Sequence, residues 1–142
     1  MEKIKEIIKK VCTKEIILYV VFGLITTVVN LSVFKISSSI LHLEENLSNN
    51  LGIVCAFLTA YFTNKKWVFH SKASGVKEKF IEFAKFFIGR LATMILESVG
   101  FYILFSILHI SENISKFAMI VIVVILNYFI SKFFAFKKWE KK

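Results

Sequence analysis

Apolar residues run through this chain in long uncharged blocks, not in the alternating or one-face patterns of a soluble fold. Residues 16–34 and 46–64 are each nineteen residues without a charge, and 117–131 adds fifteen more, extended by 113–115. The stretch 86–111 is long enough to span but is interrupted by Arg90 and Glu97. About 20 apolar residues cross the hydrocarbon core as a helix, and lipid forces that choice because every backbone polar group must be satisfied within the segment. The blocks predict an all-α integral membrane protein with four transmembrane helices, at about 16–36, 47–67, 84–108 and 114–134. Composition agrees. With 56% of its residues hydrophobic, a 142-residue chain has more apolar surface than a soluble domain of that size buries.

The blocks are also written twice. ILHLEENLS at 40–48 returns as ILHISENIS at 107–115, and YFTNKKWVF at 61–69 returns as YFISKFFAF at 128–136, both 67 residues on. Two independent matches at one spacing predict a tandem duplication of an apolar hairpin. Repeat 1 covers about 16–69 and repeat 2 about 80–136, within a single membrane domain covering 1–142. The first and third spans correspond less well, since Gly23 and Gly89 align only at an offset of 66. Ser38, Ser39 and the segment 70–75 supply the loop-like punctuation, the latter at the joint of the two halves. Small membrane proteins built from repeats place their working site at the repeat interface.

Charge sets the expected orientation. The net charge of +9 is concentrated in the N-terminal tail (Lys3, Lys5, Lys9, Lys10, Lys14), in the middle segment (Lys65, Lys66, Lys72, Lys77, Lys79, Lys85) and in five lysines from Lys132 onward. The turn 42–50 has no basic residue and the turn 109–116 has one. The positive-inside rule then places both termini and the middle segment in the cytoplasm, making two parallel hairpin repeats, N-in and C-in, in the cell membrane. This distribution argues against a nucleic-acid partner, because the charge lies where topology requires it; membrane lipids with anionic head groups are the expected neighbours. Nothing at the N-terminus reads as a cleaved signal peptide. Cys12 and Cys55 fall at different depths, so no disulfide is expected and neither belongs to a metal motif.

Charges inside lipid each cost about 2.5–3.5 kcal/mol on insertion scales, so each needs an account. Glu97 sits deep in the third span, either as a structural carboxyl between helices or as a substrate or proton-coupling site. Arg90, two turns earlier, either snorkels to the inner interface or binds an anion with its fork of donors. Lys35 is expected to snorkel at the other end. Lys65 and Lys132 recur at equivalent positions where the second and fourth spans end, either as topology anchors favoured by the helix-end carbonyls or, with Arg90, as a basic cluster sized for a lipid phosphate. The aromatics beside them read as an interfacial belt. Asn30, Asn64 and Asn127 are intramembrane amides that bond between helices or meet a polar head group. His42/Glu45 and His109/Glu112 form His-x-x-Glu twice, a spacing that can hold a metal. Their place at the turns favours the plainer reading, with Asn46, Ser48, Asn113 and Ser115 as N-caps. The chain has no Asp, no phosphate-binding loop and no catalytic triad, so neither an enzyme nor a metal or other cofactor is expected.

Taken together, these residues resemble the GtrA-like family of small four-span bacterial membrane proteins, over nearly the whole chain from Tyr19 to Phe136. The markers are Phe22-Gly23 in the first span, Asn64-Lys65-x-Trp67-x-Phe69 ending the second, Arg90 in the third, and Asn127-Tyr128-x-x-Ser131-Lys132-x-Phe134-x-Phe136 in the fourth. Lysine stands at 65 and 132 where the family more often has arginine, and Phe134 where tryptophan is frequent. Lysine keeps the charge but loses bidentate phosphate geometry. The resemblance implies a flippase for a polyprenyl-phosphate-linked monosaccharide, made by a separate membrane glycosyltransferase and used in cell-surface polysaccharide or teichoic acid glycosylation. In that reading Arg90, Lys65 and Lys132 hold the phosphate, and Asn127, Asn30 and Asn64 meet the sugar, together with Glu97, which is taken from its place in the span and belongs to no family motif. Two other classes stay open: a non-transporting partner that anchors a glycosyltransferase, and a small multidrug exporter, which the strong charge bias and the third-span Glu disfavour. Four helices are few to enclose a sugar path, which leaves room for a homo-oligomer.

Overall fold

The computed structural model describes residues 1, 2, 6 and 13–137. Lys3, Lys5, Lys9, Lys10, Cys12, Lys138, Lys141 and Lys142, which entered the charge and cysteine readings, lie outside the described residues. Among the described residues there is no strand. The chain divides into two compact units, Met1–His70 and Ser71–Lys142.

The first unit pairs helix α1 (Lys14–Lys35) with α2 (Glu45–Thr63). Thr13 caps α1, its Oγ1 accepting from the Ile16 amide at 3.4 Å. Apolar side chains leave α1 in every direction: Leu24, Val28 and Leu31 are each more than 60% exposed, and Tyr19 is its one buried residue. A helix apolar all round has no face to give to water. The two helices run antiparallel and close together where Gly52 meets Asn30; a Cβ built on Gly52 would lie 2.5 Å from Asn30 Oδ1 and 2.8 Å from the Asn30 carbonyl oxygen. Near the other end Tyr19 packs on Phe69 and Phe22 stacks on Trp67, with ring centroids 6.2 and 5.3 Å apart.

The second unit pairs α3 (Val76–Tyr102) with α4 (Glu112–Ile130) in the same antiparallel sense. Phe86 packs on Phe136 at 5.6 Å, each ring 67 positions beyond Tyr19 and Phe69. Ser115, like Ser48 before it, is wholly buried, its hydroxyl donating to the carbonyl five residues earlier. The expected N-caps are corrected here: the caps are Glu44 and Ser111, without side-chain cap bonds, and Ser48 and Ser115 lie inside the first turns. Asn46 and Asn113 also fall inside the first turns, because the helices begin at Glu45 and Glu112 and not at the first apolar residues. Helix α3 starts at Val76, ahead of the transmembrane span expected from about 84, because helix continues through charged residues that an apolar count excludes.

Each helix ends in a five-residue π turn: Ile36–Ile40, Asn64–Val68, Ile103–Ile107 and Ser131–Ala135. Ile36 and Ile103, like Asn64 and Ser131, stand 67 residues apart, as do the first residues of α2 and α4. Two residues after three of these turns come His42, His70 and His109, all with positive φ, at 51°, 48° and 54°. Histidine is among the residues enriched in that left-handed region, which ends a helix by turning the chain. The histidines therefore have a backbone role, and no cluster of three or more metal-ligating side chains occurs among the described residues.

Three helices, each with its π turn, are long and apolar enough to cross a membrane: Lys14–Ile40 with mean hydropathy 2.3, Val76–Ile107 with 1.5 and Glu112–Ala135 with 2.2. Helix α2 is not among them. It matches the 19 residues of α4 but carries Asn46, Ser48, Asn49 and Asn50 in its first two turns.

The Gly52 contact yields a test. Gly52→Ala forces its methyl against the Asn30 backbone, so the detergent-solubilised protein should lose about 1–3 kcal/mol of stability, read as a lower Tm. Gly23, whose Cβ would meet nothing within 4 Å, is the control; Gly23→Ala should hold or raise Tm through helix propensity, by up to about 1 kcal/mol.

Candidate functional site

The residues singled out from the sequence fall into two groups along each hairpin. In the second unit, Arg90 is half-buried on α3 with its guanidinium carbon 5.3 Å over the Phe86 ring. That is within cation–π range. Among the described residues it forms no ion pair. One turn on, Thr93 is buried, and its hydroxyl lies 3.0 Å from the Arg90 carbonyl and 2.8 Å from Asn127 Oδ1 on α4. A hydroxyl has one proton, so the two acceptors share a single donor. Asn127 is thus fixed between helices by its carbonyl oxygen, and its NH2 end remains a donor. The bond brings Asn127 to the turn of α3 that carries Arg90.

Lys132 lies in the π turn that follows α4. Its Nζ donates to Tyr128 Oη at 3.2 Å and sits 5.5 Å over the Tyr128 ring. The first unit repeats the motif, with Lys65 Nζ 5.9 Å over the Tyr61 ring. Both lysines are drawn back along their own helix ends, where carbonyl dipoles favour a cation. Asn64 and Ser131, which open these two π turns, are buried. Asn30 is half-buried and lies against Gly52.

Glu97 is not brought to Arg90. It lies seven residues further along α3, about 10 Å along the axis, and lines a separate pocket. The aromatic belt also divides. Trp67 and Phe133 are exposed as a belt requires, whereas Phe69 and Phe136 are buried and close the hairpins from within.

Sequence reasoning missed three residues. Thr93 was passed over because a threonine in an apolar helix usually bonds back to its own chain, as Thr26, Thr59 and Thr63 do here. Lys85 was read only as a topology lysine, but its Nζ lies 5.4 Å over the Phe134 ring, on the same hairpin as Arg90 and Lys132. Glu82 is fully buried and accepts a hydrogen bond from the Ser71 hydroxyl, holding the start of the second unit to α3. Its signal was present, since a single carboxylate among the apolar residues 80–84 has few partners to choose from.

A chain of apolar helical hairpins with intramembrane cations defines a multi-pass membrane protein. Its residues 18–136 match the family described as GtrA/DPMS, transmembrane domain, and the chain belongs to that family. It is 38% identical over 122 residues to a cell wall teichoic acid glycosylation protein, GtcA, of Listeria innocua, covering 86% of this chain and 84% of that protein. A protein of the same name from Listeria monocytogenes is 32% identical over 142 residues, covering 96% and 98%. A bactoprenol-linked glucose translocase of Shigella flexneri is 28% identical over 130 residues, covering 92% and 98%. No solved structure matches the chain.

The buried bond predicts its own test. Thr93→Val removes the donor and leaves the Asn127 carbonyl oxygen unsatisfied, which should destabilise the protein by about 1–3 kcal/mol. Thr93→Ser should keep most of the stability. Thermal unfolding of the two variants in one detergent decides it; equal Tm values would mean the bond contributes nothing.

Proposed function

We propose that this protein is a flippase that carries a polyprenyl-phosphate-linked monosaccharide across the bacterial cytoplasmic membrane for glycosylation of a surface polymer such as teichoic acid. The observation that carries this reading is Arg90. A half-buried guanidinium, on a helix apolar enough to span a membrane and with an aromatic ring as its neighbour, has unmet demand for an anion. A lipid phosphate supplies that anion while keeping its prenyl chain in the bilayer. The names of the Listeria and Shigella relatives, which concern teichoic acid glycosylation and a bactoprenol-linked glucose, support the same substrate class.

In this reading all four helices cross the membrane, with both termini and the segment 65–85 on the cytoplasmic side. Helix α2 spans because α1 packs along it and the π turn Asn64–Val68 lengthens it. Arg90 and Lys132 capture the phosphate, with Lys65 as the first hairpin's counterpart. Asn127, oriented by Thr93, and Asn30, Asn64 and Glu97 give the sugar hydroxyls successive partners. The chain's residues provide binding and a polar path without bond chemistry, and consumption of the sugar on the far side drives net movement. The sugar donor is made by a membrane glycosyltransferase that meets the protein at the cytoplasmic face, and two or more copies complete the path.

The test is flipping of a labelled polyprenyl-phosphate sugar in proteoliposomes holding only this protein. Arg90→Ala, matched for helix content, should slow transport at least about tenfold, the loss of one charge-assisted contact. Arg90→Lys should fall between, because lysine keeps the charge without the fork. A well-folded wild type that moves nothing but co-purifies with a glycosyltransferase would replace the flippase with the anchoring role.

A further inference from the structure

The end of the second hairpin away from Lys132 holds a pocket of about 340 Å³, lined by Glu97, Ser98 and Phe101 from α3 and by Glu112, Lys116 and Met119 from α4. Its volume is at the small end of the ~300–1,000 Å³ typical of ligand sites. Two carboxylates and one ammonium give it a net acidic lining. Among the described residues, none of Glu97, Glu112 and Lys116 makes a hydrogen bond or ion pair, so their polar atoms are available to a ligand. Met119 forms part of the apolar wall and is held against Gly100, where an added Cβ would come within 2.4 Å of its Cε.

The matching place in the first hairpin is built differently. Sixty-seven positions before Glu97 and Met119 stand Asn30 and Gly52, and there the amide lies directly against the glycine. The exchange of Asn for Glu and Gly for Met replaces a close helix contact with a polar-lined recess. Nothing in helix packing requires a carboxylate at 97.

We propose that this recess is a subsite for a single neutral hexose, the head group of the lipid-linked sugar after it has left the phosphate-binding cations. Carboxylate oxygens accept from sugar hydroxyls, as can the Ser98 oxygen, whose own proton goes to the Met94 carbonyl; Lys116 donates to sugar oxygens, and the Phe101 ring and Met119 face the apolar C–H side of the ring. The acidic excess repels uronic acids and phosphate, so the pocket selects the sugar and rejects the phosphate that the other end attracts. The size admits one ring and not a chain of them. This inference rests on the flippase reading for its ligand, but its test does not require transport.

The full-length protein in nanodiscs is exposed to methyl glucoside, methyl galactoside or methyl glucuronide, and saturation transfer from protein to sugar is read by NMR. Wild type should saturate a neutral glycoside and not the glucuronide. Glu97→Gln and Glu112→Gln, with native helix content by circular dichroism, should bind it about tenfold more weakly, the loss of one charged acceptor. Gly23→Ala, in the other hairpin and with open space at its Cβ, should leave this signal intact. Absent saturation in wild type, equal saturation by the glucuronide, or signals unchanged in both carboxylate variants would overturn the subsite. Transport by a wild type that fails this test leaves the flippase standing without the pocket. Glycoside binding by a wild type that transports nothing keeps the pocket and removes the flippase.

Discussion

The constraint on which this structure depends is that lipid offers no partner to an unpaired backbone amide or carbonyl. Helices meet it along their length but not at their ends, where the last carbonyls lack donors. This chain closes all four ends the same way, with a π turn sealed by a bond from the amide five residues on: Leu41 to Ile36, Phe69 to Asn64, Leu108 to Ile103 and Phe136 to Ser131, at 2.8–3.1 Å. At the first and third ends a further bond, Leu43 to Ser37 and Ile110 to Leu104, wraps the chain past the left-handed histidine. The π turns at the other two ends also decide where function can sit. Their wider winding lets Phe69 and Phe136 fold back onto Tyr19 and Phe86 while Lys65 and Lys132 stay on the helix-end carbonyls.

Between those ends, packing cannot rely on excluding water, because lipid tails are as apolar as leucine. Close approach and polar contacts hold the hairpins instead. The first uses Gly52 to admit Asn30; the second uses the Thr93–Asn127 bond and the fit of Met119 on Gly100. Most large apolar side chains are left on the outside, where a membrane takes them. Apart from Val68, Met119 and a set of aromatics that includes Phe86 and Phe136, burial among the described residues goes to small and polar side chains, and no Leu or Ile is among them.

Much of this was legible. The 67-residue spacing of two short motifs matches the spacing of α2 and α4 and of the paired π turns, which the matching segments contain or adjoin, but not that of α1 and α3, which begin 62 residues apart. The helices themselves followed from uncharged runs. Their starts did not, since charged first turns such as Lys77–Lys85 are helical without being apolar. The π turns carry no propensity signal, yet the recurring Ile-Leu-His and Val-Phe-His endings were a clue: histidine after two apolar residues tolerates the left-handed turn. Of the site, Arg90, Asn127 and Glu97 stood out because charges and amides are rare in such runs. Thr93 and Lys116 did not, and Glu112 stood out only as half of a His-x-x-Glu pair, because the contact of Thr93 and the pocket lined by Glu112 and Lys116 come from the register of α3 against α4, which no single helix reveals.

That register separates two kinds of chemistry along the second hairpin. Thr93 faces Asn127 and Gly100 faces Met119, so α4 residues earlier than Met119 lie beyond Gly100 on the side away from Arg90. From Arg90 to Gly100 is about 15 Å of helix, and from Met119 back to Glu112 another ~10 Å. A single hexosyl phosphate is shorter than that, so it cannot occupy the cations and reach Glu112 at once. A site that held phosphate and sugar together would also bind its cargo too well to release it, since uniform tight binding slows departure. On the proposed flippase reading, anion-seeking groups at one end and hydroxyl-seeking carboxylates at the other make each stop partial. The sugar in that reading reaches the Glu112 end only as its phosphate leaves Arg90 and Lys132, so no single stop holds the cargo by the cations and by Glu112 together.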